Sequence, residues 1–237
     1  MKHSQLYKEF APFYDLISAD YFSYEEDMKS LEHILAQGSG KKVLEIGVGT
    51  ANAAIALAKS GYDVTGIDCS GSMLDIAKKK VVECSGLNIR LKKQDFLKLN
   101  LDDKFDSVLS YEGPLVLING KNGYYFETYL NDENETLTGL TKMNDHLKDN
   151  GLLIMSVKNE RNETRQLTFD GDKTYSAKVN QSYNNLRITH TVTCKDEAIV
   201  VSVVDKRIIP FQNFNSLLQQ ANFDAIGLDQ TQKFYIA

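Results

Sequence analysis

A strand, a glycine turn and a helix follow one another without interruption between Lys42 and Ala58, and this run constrains the fold of the 237-residue chain more than any other feature. Val43, Leu44 and Ile46 make a short apolar strand. Gly47 and Gly49 then let the backbone turn tightly and approach a ligand with no Cβ in the way. Beyond the turn, Ala51, Ala54, Ile55 and Ala58 recur at i, i+3, i+4 and i+7, the stripe of an amphipathic helix that Gly61 stops. The alternation continues downstream. Residues 62–67 form a second strand, residues 70–84 a helix with Ser70 as N-cap, and residues 88–91 a third strand. Residues 105–110 and 152–157 add two more, separated by a helix over 135–148 that is predicted to stop at Asn150-Gly151. A helix over 211–221 and a terminal strand over 234–236 complete the pattern. Such alternation predicts an α/β chain of Rossmann-like type, with a seven-stranded, mostly parallel sheet and helices on both faces.

Two regions depart from it. The first 36 residues hold Tyr7, Phe10, Phe13, Tyr14, Tyr21, Phe22 and Tyr24, seven of the chain's 23 aromatics, and read as a pair of amphipathic helices covering the core. Residues 159–207 contain a single glycine, Gly171, and read as three consecutive β segments. In the middle one Ile188, His190, Val192 and Cys194 share a face opposite Arg187, Thr189, Thr191 and Thr193, the period-2 alternation of a half-buried strand. The expected organisation is a core of residues 1–158 and 209–237, with helices in 1–36, interrupted by an antiparallel β lid over 159–208.

Composition narrows the class of partner. With 42% hydrophobic and 25% charged residues the chain is ordinary globular material, and its longest apolar runs fall far short of the roughly 20 residues a membrane-spanning helix needs. No membrane partner is expected. Charges interleave the first ten residues, and three cysteines, Cys69, Cys84 and Cys194, lack metal-ligand spacing and cannot all pair, so a cytoplasmic protein without a metal is expected. A net charge of −5 gives no general attraction for phosphate backbones, so nucleic acid is not expected as a partner. Small cationic or neutral ligands fit better.

Three carboxylates mark where such a ligand would sit. Glu45 ends the first strand in an otherwise apolar setting, where a buried charge is expensive unless paired. It would repel a pyrophosphate and attract an ammonium. Asp68 closes the second strand, placed as acids that bind ribose hydroxyls are, and Asp95 follows the third strand beside Phe96, a pair suited to an adenine amino group and ring. Acids at three successive strand ends point to one site, because ligands of open α/β sheets bind there.

With these residues in place, the sequence resembles the class I S-adenosylmethionine-dependent methyltransferases. The segments VLEIGVGTA, DCSGSML, QDF and FDSVLSYEG carry the resemblance, with Ala51 standing where the family usually has glycine. The resemblance implies S-adenosylmethionine as cofactor. Glu45 and the turn from Gly47 through Gly49 to Thr50 would hold its methionine end, and Asp68, followed by Cys69 and Ser70, its ribose. Met73 would pack near the adenosine, Asp95 and Phe96 would recognise adenine, and Ser110 and Tyr111 would lie beside the methionine moiety, Tyr111 facing substrate. The accessory segments are similar to those of amino-sugar and glycine-type N-methyltransferases, which place an aromatic-Tyr-Asp segment, here Phe13-Tyr14-Asp15, over the cofactor.

The implied activity is methyl transfer to an N or O atom of a small molecule by in-line displacement, in which orientation can supply on the order of 7 to 11 kcal/mol of the barrier. Three residues are candidates for the chemistry. Glu112 could bind a substrate amine or accept a proton, His190 titrates near neutrality, and Tyr14 could place a ring or hydroxyl near the sulfonium. Two other readings compete. A nicotinamide-dependent oxidoreductase would use the same glycine turn and Asp68, but Glu45 and Asn52, at the third small position, oppose it. The other is a noncatalytic adenosyl-binding protein. A homodimer through an exposed lid edge is also expected.

Overall fold

The computed structural model describes residues 7–19, 24–38, 40–160, 165–169, 171–182, 184–195 and 197–237; Tyr21 and Phe22 of the aromatic N-terminus lie outside them. Strands β1 (Lys42–Ile46), β2 (Asp63–Asp68), β3 (Ile89–Lys93), β4 (Phe105–Ser110) and β7 (Leu147–Asn159) run parallel in the order β3-β2-β1-β4-β7. Beyond β7 the sheet closes with β13 (Phe234–Ile236), antiparallel to it, and β12 (Gly227–Leu228), which completes seven strands. Alternate side chains feed opposite faces. Val43, Leu109 and Ile154 pack under α2 (Tyr24–Leu35), α3 (Asn52–Lys59) and α4 (Gly71–Glu83), while Leu44, Val108, Leu153 and Met155 pack under α5 (Glu133–Asp145) and α6 (Phe211–Gln220). Both faces are thus covered, and a sheet buried on both faces is why these strands read as unbroken apolar runs. From β1 the chain winds outward through β2 to β3 and then crosses to β4 on the other side. The ligand-binding end of such a sheet lies at that reversal.

The helix expected over 135–148 is shorter and earlier than its sequence suggested. Asp132 caps it by accepting from Glu135 N at 2.8 Å, and it ends at Asp145 with His146 at the C-cap. His146 Nδ1 donates to Lys142 O (2.7 Å) while Nε2 accepts from Leu101 N (2.9 Å), so one imidazole satisfies the helix end and a neighbouring loop. Asn150 does take the left-handed conformation (φ 59°), but inside β7, which bulges between Leu147 and Leu152 against β4.

A second sheet grows from the far end of β7. Residues 154–156 of that strand pair with β13, whereas residues 157–159 pair in parallel with β5 (Leu115–Gly120). From β5 the sheet runs through β6 (Gly123–Thr128), β11 (Glu197–Pro210), β10 (Asn185–Cys194) and β9 (Lys173–Gln181) to β8 (Arg165–Phe169), antiparallel throughout. Residues 159–208 therefore supply four of these strands where three were expected, and the β5–β6 hairpin comes from outside that segment. The buried face of the sheet, with Tyr175, Leu186, Ile188, Val192 and Val204, packs on Phe10 and Ile17 of the N-terminal cover, whose helix α1 spans Ala11–Ser18. Among the described residues no helix is long and apolar enough to cross a membrane.

Candidate cofactor and substrate site

The glycine turn follows β1 in a run of left-handed residues, Gly47 (φ 76°), Gly49 (φ 53°) and Ala51 (φ 66°). A Cβ on Gly47 would lie 3.1 Å from Gly113 Cα, and one on Gly49 would lie 3.3 Å from Met73 Cε. Gly47 thus lets the turns after β1 and β4 approach closely, and Gly49 lets Met73 of α4 do the same. Ala51 explains why a glycine is usual at its place: a side-chain-bearing residue pays about 1 kcal/mol for that conformation. Its methyl group is wholly buried in the cluster under α3, which repays part of this.

Asp68 organises the turn. Its Oδ2 accepts from Gly49 N (2.9 Å) and its Oδ1 from Ser70 N (2.7 Å), so one carboxylate ties the glycine turn to the start of α4. Ser70 caps that helix through Met73 N. Burial pushes the Asp68 carboxyl up despite these bonds, and the Cys69 thiol beside it rises to about 11 through burial and the charges of Asp68 and Asp95. Asp95 caps a single 3-10 turn by accepting from Leu97 N (3.1 Å) and stays exposed, with Phe96 next to it. Gly139 on α5 leaves room for the Phe96 ring, which any Cβ there would strike.

A cleft of about 820 Å³, counting its open mouth, lies above these strand ends. Gly47, Gly49, Asp68, Cys69, Ser70, Met73, Asp95, Phe96, Tyr14 and Glu112 all line it. Glu45, Thr50 and Ser110 lie behind its wall. Glu45 is buried on the α3 side of β1, and desolvation, with the nearby charge of Asp68, raises its carboxyl to about 8. Thr50 donates to Asp15 Oδ1 (2.6 Å), which also accepts from Asn52 Nδ2 (2.9 Å), while Lys80 Nζ stands 2.8 Å from Asp15 Oδ2. Asp15 therefore latches the N-terminal cover onto α3 and α4. Ser110 exchanges hydrogen bonds with Leu115 backbone and shapes the loop between them.

A second cavity of about 620 Å³ lies under the second sheet. His190 lines it, with its Nδ1 2.8 Å from Tyr175 OH and its ring stacked on that tyrosine and near Phe10. The two cavities share Tyr7, Tyr14, Glu112 and Tyr129. Tyr7 and Tyr129 join hydroxyls at 2.8 Å across their common wall, and Lys206, paired with Glu127 at 2.9 Å, sits over the Tyr129 ring. Tyr111 lines neither cavity: its hydroxyl donates to Asp27 of α2 (2.8 Å) and its ring packs on Tyr24 and Phe234. Tyr7, Tyr129, Lys206 and Tyr175 escaped sequence reasoning as site residues. Tyr7 carries a signal as a member of the N-terminal aromatic run, and Tyr175 and Lys206 fall in the expected lid, which the sequence reading pairs with the segment from Tyr111 to Tyr129 in shaping the substrate pocket.

The residues fit an adenosyl ligand on the structure's own terms, since the Gly49 position would lose its free approach to any Cβ and acids line the cleft at the ends of β2 and β3, Asp68 partly buried and Asp95 exposed. Fold and cleft define a Rossmann-like domain with its ligand site at the sheet's switch point. Residues 43–151 match the sequence profile of a methyltransferase domain. A putative methyltransferase of Geobacillus sp. (strain WCH70) is 32% identical over 154 residues, 64% of this chain and 57% of that protein. The chain spans little more than half the length of the curated relatives it matches. Among solved structures, an S-adenosylmethionine-dependent methyltransferase from Clostridium acetobutylicum ATCC 824 superposes with a TM-score of 0.75 at 17% identity, covering 97% of each chain. A sugar N-methyltransferase from Streptoalloteichus sp. ATCC 53650 gives 0.72 at 15% identity, over 94% of this chain and 91% of that one. At such identities the superpositions speak to the fold alone. The sequence match makes residues 43–151 similar to methyltransferase domains, and the superpositions agree with the Rossmann-like fold of that segment.

Proposed function

We propose that the chain transfers a methyl group from S-adenosylmethionine to a nitrogen or oxygen atom of a small molecule held in the second cavity. The observation that carries this reading is that the two cavities meet along one wall of Tyr7, Tyr14, Glu112 and Tyr129. The cofactor, when bound, supplies a methyl group already activated on a sulfonium. The chain's own residues then have to bind, orient and exclude water. Asp68 and the Gly47 to Gly49 turn, where no Cβ stands in the way, hold the ligand in the first cleft, with Asp95 and Phe96 at its adenine end. Tyr14 and Glu112 stand where the cavities join, so they face both reactants. Glu112 accepts a hydrogen bond from the nucleophile, and His190, held by Tyr175, lies deeper in the second cavity as a contact for the rest of the substrate. The fold neighbour that methylates a sugar nitrogen supports an amine as acceptor.

The volume of the second cavity suits a small molecule. In this reading residues 159–208 act as the lid over it, the free cysteines sit in a reducing cytoplasm, and the β8 edge offers a seam for a homodimer that sedimentation would reveal. The test is transfer of isotope-labelled methyl from S-adenosylmethionine to a panel of small amines, hydroxy acids and phenols. Transfer to one class, lost in Glu112→Gln, supports the reading. Binding of S-adenosylhomocysteine with no transfer to any class would make the chain a noncatalytic binder, and binding of NADH in its place would make it an oxidoreductase.

A further inference from the structure

Glu112 is held from behind by side chains of strand β7. Its backbone is left-handed (φ 53°), and its amide donates to Ser156 Oγ at 3.0 Å. Two residues further along β7, and so on the same face, Lys158 Nζ stands 3.0 Å from Glu112 Oε1. The same ammonium lies 3.4 Å from Asp27 Oδ2 on α2, and 5.5 Å from the centre of the Tyr111 ring. Asp27 is itself fixed, since it accepts from Tyr111 OH at 2.8 Å and pairs with Lys233 at 3.1 Å, which also meets Glu26 at 3.0 Å. The three central side chains are only 9% (Asp27), 19% (Lys158) and 11% (Glu112) exposed, so solvent screens them little. On its other side Glu112 looks into the two cavities, toward the phenols of Tyr7, Tyr14 and Tyr129, with His190 and Lys206 across the second one.

We propose that Lys158, braced by Asp27, is a positioning residue that holds the Glu112 carboxylate, ionised and aimed, at the opening between the two cavities. A lysine stem alone samples many rotamers, and a second carboxylate behind it fixes the ammonium in one place. Ser156 sets where the Glu112 backbone lies and Lys158 sets where its carboxylate points. The role at the opening rests on the methyl-transfer reading; the coupling of the three side chains does not.

The test is a carbon-13 NMR titration of the Glu112 carboxyl in the full chain labelled at glutamate, the signal being identified by its loss in Glu112→Gln. Removing the neighbouring cation in Lys158→Met is expected to raise the Glu112 midpoint by about 1 to 2 pH units, and Lys158→Arg to restore it. Asp27→Asn is expected to act with the opposite sign, lowering it by roughly half a unit, because Lys158 is then no longer shared. Rescue by Lys158→Arg, which keeps the charge but not the shape, separates a charge held at this place from mere packing of the lysine stem. An unchanged midpoint in Lys158→Met, or shifts of the same sign in the two variants, overturns the proposal; if Lys158→Met does not fold, the sign in Asp27→Asn decides. Calorimetry with S-adenosylhomocysteine on the same samples separates the two ideas. Retained binding shows an intact cleft, whereas a wild-type chain that does not bind it refutes the methyl-transfer reading and leaves the titration to decide on Lys158.

Discussion

The parallel core and the antiparallel second sheet build their halves of the site in opposite ways. In the core, most residues around the cleft come from one stretch, Ile46 to Leu97, at strand ends or in the first turn of a helix, and Tyr7, Tyr14, Glu112 and Tyr129 join them only along the shared wall. In the second sheet, the cavity wall is assembled from Phe10, Tyr129, Tyr175, His190 and Lys206, which belong to separate hairpins and to the N-terminal cover. The first kind of site is fixed by local backbone geometry. The second exists only once distant segments have packed, so its shape can change without disturbing the first, and this is where substrate choice can vary over a constant cofactor cleft.

The sharpest way to break this contrast is to remove a side chain where the two sheets join. Phe126 on β6 stacks on Phe214 of α6 at 3.6 Å between ring centres and is fully buried in the core cluster. Phe126→Ala is expected to lower global unfolding stability by roughly 3 to 5 kcal/mol in denaturant titrations, whereas Val192→Ala at the far end should chiefly speed amide exchange in residues 173–208. Equal global losses from the two would mean that the sheets are a single unit.

The buried acid of the core carries a pH signature of its own. Glu45 is raised from an ordinary 4.5 to about 8, so below about pH 4.5 it is protonated in both the folded and the unfolded chain. As pH rises through that window the unfolded chain releases its proton first, and stability falls until about pH 8, after which it is level. Glu45→Gln should remove this decline, gaining on the order of 4 kcal/mol on wild type between about pH 5 and pH 8 in the unliganded protein. Next in size, Gly49→Arg should weaken S-adenosylhomocysteine binding by roughly 100-fold in calorimetry, about 2.7 kcal/mol, while His190→Ala leaves that affinity unchanged and loses transfer. An effect of His190→Ala on cofactor-product binding would erase the division of labour. A smaller effect is expected at the latch. Asp15→Ala removes the acceptor shared by the buried Thr50 and the partly solvated Asn52 and Lys80, and should cost about 1 kcal/mol while raising amide exchange in residues 11–18. Least of all, Val201→Thr on the exposed face of β11 should stay within about 0.5 kcal/mol of wild type.

The same contrast explains what the sequence reveals. Gly47, Gly49, Asp68, Asp95 and Phe96 are legible because spacing along the chain is also spacing along the strand ends. His190 is legible as a buried face of an alternating strand, and it does lie inward. The β5–β6 hairpin was readable too: Gly120 and Gly123 flank its two-residue turn, Lys121-Asn122, between apolar and aromatic runs. Tyr111 was drawn toward the substrate by its place after β4, yet Asp27, 84 residues earlier, holds its hydroxyl on the opposite side. Lys158 and Tyr129 could not be found from spacing, since their partners Glu112 and Tyr7 are brought to them only by tertiary packing.

The most direct measurement is a crystal structure of the chain grown with S-adenosylhomocysteine. The account predicts the adenine beside Asp95 and Phe96, the ribose hydroxyls on Asp68, and the sulfur directed to the opening between Tyr14 and Glu112, with the second cavity open behind it. A ligand bound elsewhere, or lying with its sulfur away from that opening, would contradict the account.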